Sequence, residues 1–194
     1  MCLLRLSTLT CALFLVTGCA IVDVSPRYQD ISYEHFGQFD LDVAEIDIVN
    51  EYRPPLRSPN VEHLFPMSPG RAAVRWAKDR LRPVGNVRKA SFIVRHASVI
   101  ETQLSLEEGV RGAITTEQAH RYEARLSIII EIRSETRGKE AYVEAEAIRV
   151  RTLPENSTIN ERLGMFHAMT QELMADANVQ LERNIRQYLT KFVR

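Results

Sequence analysis

The sequence predicts an α+β fold: a two-layer sandwich in which a four-stranded, largely antiparallel sheet carries a short helix and a long C-terminal helix on one face, in the order β-α-β-β-β-α. The 194-residue chain is 45% hydrophobic and 26% charged, which is typical of an ordinary globular domain. Hydrophobic residues recur every second position over residues 122–132 and at steps of three, four and seven over residues 159–192. These two periods indicate a strand and a helix that bury one face each.

The N-terminal segment has the pattern of a signal peptide rather than of a folded element. Arg5 is the only charged residue before Asp23, and residues 6–16 form an apolar stretch that is too short to span a membrane. The stretch ends in an aliphatic residue and two small ones directly before a cysteine, Val16-Thr17-Gly18-Cys19. This motif resembles the lipobox of bacterial lipoproteins, and the alternative is an ordinary secretory signal followed by a chance cysteine.

The lipobox resemblance implies that residues 1–18 are removed and that Cys19 carries the membrane anchor, a diacylglyceryl group on its thiol and usually a further acyl chain, palmitate for example, on its new amino group. Two or three long chains hold a protein at the membrane, because each buried methylene contributes about 0.8 kcal/mol. In enterobacterial lipoproteins Asp after the lipidated cysteine retains the protein at the inner membrane, and here that residue is Ala20. We therefore expect the periplasmic face of the outer membrane, with the inner membrane as the alternative.

The sequence argues against nucleic acid as a partner, against an internal membrane-spanning helix and against a disulfide. The 25 Lys and Arg residues balance 25 Asp and Glu residues, so the whole chain has no attraction to nucleic acid. No internal apolar run reaches the roughly 20 residues of a membrane-spanning helix. Cys2 and Cys11 lie in the removed segment, which leaves Cys19 without a disulfide partner.

The mature chain is predicted to begin with a lipidated tether, residues 19–37, followed by a single periplasmic domain, residues 38–194. Hydrophobic residues alternate from Phe39 to Ile48, but the phase slips by one at Ala44. An extra residue in a strand restores the inward face, so this pattern predicts one strand with a bulge. Whether that strand lies at the edge of the sheet or inside it stays open.

A proline-rich segment and a short helix follow. Five of the eight prolines fall within residues 50–70, which predicts a long, stiff loop because proline supplies no ladder donor. Ser68 and Pro69 are a typical helix start, and the helical pattern of residues 71–82 ends before Pro83.

Three strands and the long helix complete the domain. Residues 90–101 are apolar on both sides of the predicted strand and so predict burial of both faces. Residues 122–133 and 141–147 alternate around a short turn at residues 137–138 and predict a hairpin. The small alanine face of its second strand predicts close packing of a helix. Thr158 and Glu161 have the spacing of a capping box, and the helix that they start is long enough for its C-terminal end to overhang the sheet.

No catalytic or metal-binding motif occurs in the chain, so we expect neither an enzyme nor a cofactor or metal. The five histidines are never three or four residues apart, and nucleophile elbows and glycine-rich phosphate loops are absent. Glu144 and Glu146 lie on one face of a strand, where two carboxylates can divide acid and base roles. Because they alternate with alanines, a solvated strand face is the favoured interpretation.

Two surfaces are candidate binding sites. The first is a cationic stripe on the short helix that is suited to anionic lipid, with these residues: Arg71, Arg75, Lys78 and Arg82, beside Trp76. The alternative is a solvated face whose cations pair with acids such as Asp79. The second is the pair Leu64 and Phe65, which the stiff loop can present to a protein partner or fold back onto the sheet edge.

The arrangement of lipobox, tether and small α+β domain resembles that of envelope lipoproteins that assist transport machines, namely ABC-transport auxiliary lipoproteins and lipopolysaccharide-assembly lipoproteins. The segments at residues 53–63 and 75–81 are similar to uncharacterised alphaproteobacterial lipoproteins. The resemblance implies a non-catalytic accessory or assembly component of an envelope transport machine. The alternative is a direct binder of lipid or of an anionic glycolipid in the periplasm.

Overall fold

The computed structural model describes residue 28 and residues 30–104 and 118–194. The predicted signal peptide, Cys19 and the first part of the predicted tether lie outside these residues. In chain order the strands and helices are β1 (Phe39–Leu41), β2 (Glu45–Asn50), α1 (Pro69–Arg80), β3 (Leu81–Pro83), β4 (Lys89–Gln103), β5 (Gln118–Ser134), β6 (Gly138–Pro154) and α2 (Ile159–Tyr188). Single 3-10 turns lie at Glu34–Phe36, Glu62–Leu64 and Thr190–Phe192.

The main sheet has the strand order β2-β4-β5-β6, with β2 parallel to β4 and the other two pairings antiparallel. Both helices pack into the single core that this sheet forms with its buried face. The predicted α+β class and four-stranded, largely antiparallel sheet are confirmed. β2 lies at the edge of the sheet.

The predicted first strand is two strands, so the expected bulge at Ala44 is wrong. β1 pairs in parallel with β3 in a separate two-stranded sheet, while β2 joins the main sheet. Between them the chain turns sharply, with the Val43 amide donating to the Leu41 carbonyl at 2.8 Å. Gly85 packs so closely here that a β-carbon on it would lie 2.5 Å from the backbone of Asp42. The slip in phase marks the passage of the chain from one sheet to the other.

The interior strands bury mainly one face each. The even positions of β5 from residue 122 to 132 are buried, as predicted. Burial of both faces along all of β4 is wrong, because a bulge between Val94 and His96 shifts the inward positions by one residue. Ser98 is the exception, since it is buried on the other face of β4. Ile93 and Ile100, which suggested a second buried face, are partly exposed.

The hairpin and the helix α2 follow the prediction closely. Gly138 has φ +72° in the turn between β5 and β6. Thr158 and Glu161 form the complete capping box at the start of α2. The expected overhang is wrong: after Tyr188 the chain turns back, and Val193 forms a bridge with Leu41.

The folded domain begins earlier than the predicted boundary at residue 38. Ile31 and Tyr33 are buried in the core, and the Tyr33 amide donates to Oδ2 of Asp79 at 2.9 Å. Residues expected to belong to the tether therefore contribute to the domain. Within the described ranges, none of the helices combines the length and the apolar character needed to cross a membrane.

Candidate functional site

The helix α1 divides into a buried apolar side and a charged side. Pro69 occupies its first turn, which contains no acidic residue. Ala73 and Ala77 are buried, whereas Arg71 and Lys78 are exposed. The amphipathic pattern thus directs Arg71 and Lys78 away from the core, whereas Arg80 at the end of the helix is buried and pairs with Glu182.

Three of the four predicted cations lie on α1, and the fourth does not. The helix ends at Arg80, so Arg82 lies in β3, where its guanidinium binds both carboxylate oxygens of Asp40 at 2.6 Å. This hydrogen bond holds the pKa of Asp40 below its usual range. Arg82 is therefore not part of a cationic helix stripe, because the helical period stops two residues before it.

Trp76 does not belong to the surface either. Its ring is fully buried, stacks on Phe92 with ring centroids 5.8 Å apart, and donates from Nε1 to Oδ1 of Asn178 at 2.8 Å. The expected contact of Trp76 with lipid is wrong, because its position in the helical turn points it toward the core and its single polar atom finds a partner there.

Arg71, Arg75 and Lys78 line one side of a groove of about 340 Å³. Asp30 and Ile31, where the chain enters the domain, line the same groove. The remaining lining residues are Asn50, Met67, Gly70 and Val74. The groove therefore combines three cations, the carboxylate of Asp30 and apolar side chains beside the incoming chain.

The three cations are not equally available. Arg75 donates from Nε to Oδ1 of Asp79 at 2.8 Å and lies 3.8 Å from Glu34. The hydrogen bond with Asp79 raises the pKa of Arg75, so pairing with this acid, the alternative expected from sequence, is confirmed for Arg75. Arg71 and Lys78 form no ion pair with any residue in the described ranges.

The proline-rich loop pairs with β4 along the edge that β2 occupies further back in the strand. The Val61 amide donates to the Val99 carbonyl and the Glu101 amide donates to the Pro59 carbonyl, both at 2.9 Å. Asn60 forms an antiparallel bridge with Ile100. The loop therefore acts as a short extra strand along β4 where β2 has ended.

A buried carboxylate fixes this loop, and the sequence analysis did not find it. Glu62 is buried, and it accepts from the hydroxyl of Tyr52 at 2.9 Å and from the Val99 amide at 3.0 Å. Burial, reinforced by the bond to Glu62, raises the pKa of Tyr52. Its local sequence, an acid between Val61 and His63, gives no specific signal.

The two predicted partner-binding residues differ in position. Leu64 is 49% exposed, whereas Phe65 is only 5% exposed and stacks on Phe166 with ring centroids 4.1 Å apart. The ring of Phe65 belongs to the core, so its expected role as a surface anchor is wrong. The alternative expected from sequence is that Phe65 folds back onto the sheet edge. Phe65 does fold back, but onto Phe166 of α2.

Comparison with known proteins finds similarity to solved structures. No family model and no curated protein matches the chain. The chain is similar to the crystal structure of rare lipoprotein B from Shewanella oneidensis, with 12% identity over 74% of this chain and 95% of that one and a TM-score of 0.39. It is also similar to a minor lipoprotein from Acinetobacter baumannii, with 10% identity over 76% and 96% of the two chains and a TM-score of 0.38.

The acidic and histidine side chains that the structure describes form no cluster that resembles a metal site. In the part of the chain that the structure describes, no three His, Cys, Asp or Glu side chains converge as metal ligands would. Glu144 and Glu146 are exposed on the uncovered face of the sheet, in agreement with the solvated strand face expected from sequence.

Proposed function

We propose that the protein is an envelope lipoprotein, acylated at Cys19 and held at the periplasmic face of the outer membrane, whose domain is a non-catalytic accessory or assembly component of a transport machine. The lipobox at residues 16–19 supports the anchor. The α1 groove supports a second contact with the membrane, through Arg71 and Lys78.

One observation carries this proposal: the chain enters the domain in the same groove that Arg71 and Lys78 line. Asp30 is the eleventh residue after Cys19, and a chain of that length spans at most about 40 Å when fully extended. An acylated Cys19 therefore keeps the groove near the headgroups. Lys or Arg near an anionic surface contributes about 1 kcal/mol each, so the two cations orient the domain on the leaflet.

The anchor is tested by fractionating cells that express the natural protein or Cys19→Ser. We expect the natural protein in the membrane pellet at high salt and the variant outside it, because acyl chains are the only strong anchor in the proposal. A variant that stays in the pellet at high salt contradicts it.

The second contact is tested with the mature chain from residue 19, carrying Cys19→Ser so that it stays in solution. Its binding is measured by co-sedimentation with phosphatidylcholine vesicles with or without phosphatidylglycerol. Arg71→Glu with Lys78→Glu should weaken binding to the anionic vesicles by about tenfold or more, since about 1.4 kcal/mol is a factor of ten. Binding should also weaken as salt rises.

The matched control is Arg137→Glu with Lys191→Glu, which changes the net charge equally at two exposed positions outside the groove. Equal losses in the two pairs, or binding that ignores phosphatidylglycerol, contradict a specific α1 contact.

A second candidate function is direct binding of a lipid or anionic glycolipid molecule. The apolar residues that line the groove, Ile31, Met67 and Val74, favour it. Titration with monomeric dihexanoyl phosphatidylglycerol distinguishes the two: saturable binding that Arg71→Glu abolishes supports a ligand site, and binding to vesicles alone supports an orienting contact.

A further inference from the structure

The outer edge of β6 is capped by side chains of α2 over part of its length. Gln180 donates from Nε2 to the Glu146 carbonyl at 2.6 Å and accepts from the Glu146 amide at 3.2 Å. Asn184 donates from Nδ2 to the Glu144 carbonyl at 2.7 Å. These bonds show that the backbone groups of Glu144 and Glu146 face away from β5.

The same edge is open further along the strand. The pairing of β5 with β6 is regular from residue 141 to residue 153, so Ile148, Val150 and Thr152 also direct their backbone groups outward. No residue in the described ranges hydrogen-bonds to these groups. Gln180 closes this window at one end and Pro154, which has no N–H, closes it at the other; five residues span about 17 Å.

The side chains change where the capping stops. The capped part carries Glu144 and Glu146, whereas the open part carries Ile148 and Val150, which are 52% and 42% exposed, followed by Thr152. Natural sheets protect their edges with charged side chains, prolines or covering segments. Unpaired backbone beside exposed β-branched side chains is the arrangement that accepts an added strand.

The face of β6 that lies toward α2 adds no free charge to this window. Arg149 and Arg151 project on that face, where they pair with Asp176 and Glu172 of α2. The side chains that distinguish the window are therefore the exposed Ile148 and Val150. Facing side chains of two paired strands stabilise each other when both are apolar, so an added strand should place apolar side chains opposite these two.

The size of the window points to the same kind of occupant. Stable interfaces between folded proteins bury about 1,200–2,000 Å², far more than a pairing of five residues offers by itself. An extended peptide obtains its affinity from backbone hydrogen bonds and its specificity from alternate side chains.

We propose that residues 148–152 of β6 bind an extended segment of another envelope protein, in which every second residue is apolar, as an added strand of the sheet. The proposal rests on the accessory role proposed above and names its partner surface. It uses the sheet edge rather than the α1 groove.

The test is site-specific photo-crosslinking of the acylated protein in its own cells, with p-benzoylphenylalanine in place of Thr152. The same reporter in place of Tyr142, which is exposed on the same strand and face, is the positional control. Adducts are digested, and the crosslinked peptide is sequenced by mass spectrometry. Fractionation of the same cells monitors the anchor, so a failure of anchoring is seen separately.

Two variants remove the window while the fold is monitored by melting curves. Val150→Pro removes an outward N–H, and an edge strand tolerates this change. Ile148→Lys with Val150→Lys places charge on the edge and keeps its backbone. The matched control is Glu144→Gln with Glu146→Gln on the capped part, which changes the net charge by the same amount.

We expect adducts from position 152 to one segment in which every second residue is apolar, a fall of at least tenfold in adduct yield in either window variant, and no change in the control. Four results would each overturn the proposal. The first is adducts no stronger than those from position 142, and the second is adducts that join a second copy of this chain. The third is a crosslinked segment that lacks the alternation, and the fourth is an adduct yield that stays unchanged in both folded window variants.

Discussion

The two edges of the main sheet are completed in different ways. On the β4 side, beyond the end of β2, the proline-rich loop supplies backbone partners through Val61 and Pro59, and the buried Glu62 fixes it. On the β6 side, Gln180 and Asn184 cap only the part of the strand that ends at residue 146.

The difference teaches which segments serve the fold and which remain for binding. A loop whose backbone completes a sheet and whose aromatic ring lies in the core has a structural role, however stiff and exposed its sequence looks. The edge of β6 loses its side-chain caps where its exposed side chains change from acidic to apolar. Such an edge retains capacity for a partner.

The largest effect is expected in β5, which lies between β4 and β6 in the sheet. Ile128→Asp places a charge in the core and should unfold the domain, because an unpaired buried charge costs several kcal/mol of the ~5–15 kcal/mol that hold a domain together. Arg125→Asp, on the exposed face, should leave it folded. Equal melting temperatures would mean that the assignment of the two faces is wrong.

The next largest effect separates the neighbouring loop residues. Phe65→Ser should destabilise the domain by about 3–5 kcal/mol, as expected for loss of a buried aromatic ring. Leu64→Ser should change stability by about 0.5 kcal/mol or less. Denaturant titration measures both, and similar losses would place Leu64 in the core as well. Loss of cellular function in the folded Leu64→Ser variant would preserve this residue as a second partner contact.

Removal of the carboxylate that holds the closed edge should have an intermediate effect. Glu62→Ala leaves the Val99 amide and the Tyr52 hydroxyl without their acceptor, and an unsatisfied buried group costs about 1–3 kcal/mol. We therefore expect a loss of about 2–4 kcal/mol in the free energy of unfolding. Glu146→Ala, an exposed acid on the opposite edge, is the control; a loss as large as that of Glu62→Ala contradicts the contrast.

The smallest effect concerns the start of α2, the helix that carries both amide caps. The Thr158 amide donates to the Glu161 carboxylate at 2.7 Å and lowers its pKa. Its stabilisation is therefore present above the unfolded pKa of about 4.3 and is lost as pH falls through the lower folded pKa. The stability difference between the natural protein and Glu161→Gln should shrink toward zero in acid. A difference independent of pH would show that the charge of Glu161 does not contribute.

Local patterns predict the elements that depend on neighbours in sequence. The alternation in β5, the hairpin and the capping box at Thr158 and Glu161 need only nearby residues, so these predictions are confirmed. The break at Ala44 escapes the pattern because it depends on the close approach of Gly85, which lies far along the chain.

The candidate sites were predicted less well, because residues far away in the sequence decide whether a side chain is free to bind a ligand or partner. Arg71 and Lys78 lie on the surface as their helical spacing indicates, but the burial of Trp76 depends on Asn178. The backbone partners of the proline-rich loop lie on β4, nearly 40 residues later. The open window on β6 is defined by where Gln180 reaches, which no spacing within β6 reveals.

Amide hydrogen exchange, measured residue by residue by NMR on the mature chain with Cys19→Ser, tests the contrast between the two edges most directly. The account predicts slow exchange at Val61, Val99 and Glu146, whose amides are bonded, and fast exchange at Ile148, Val150 and Thr152. Gln180→Ala should accelerate exchange at Glu146 alone. Protection at Val150 equal to that at Glu146 would show that the β6 edge is closed and would contradict the account.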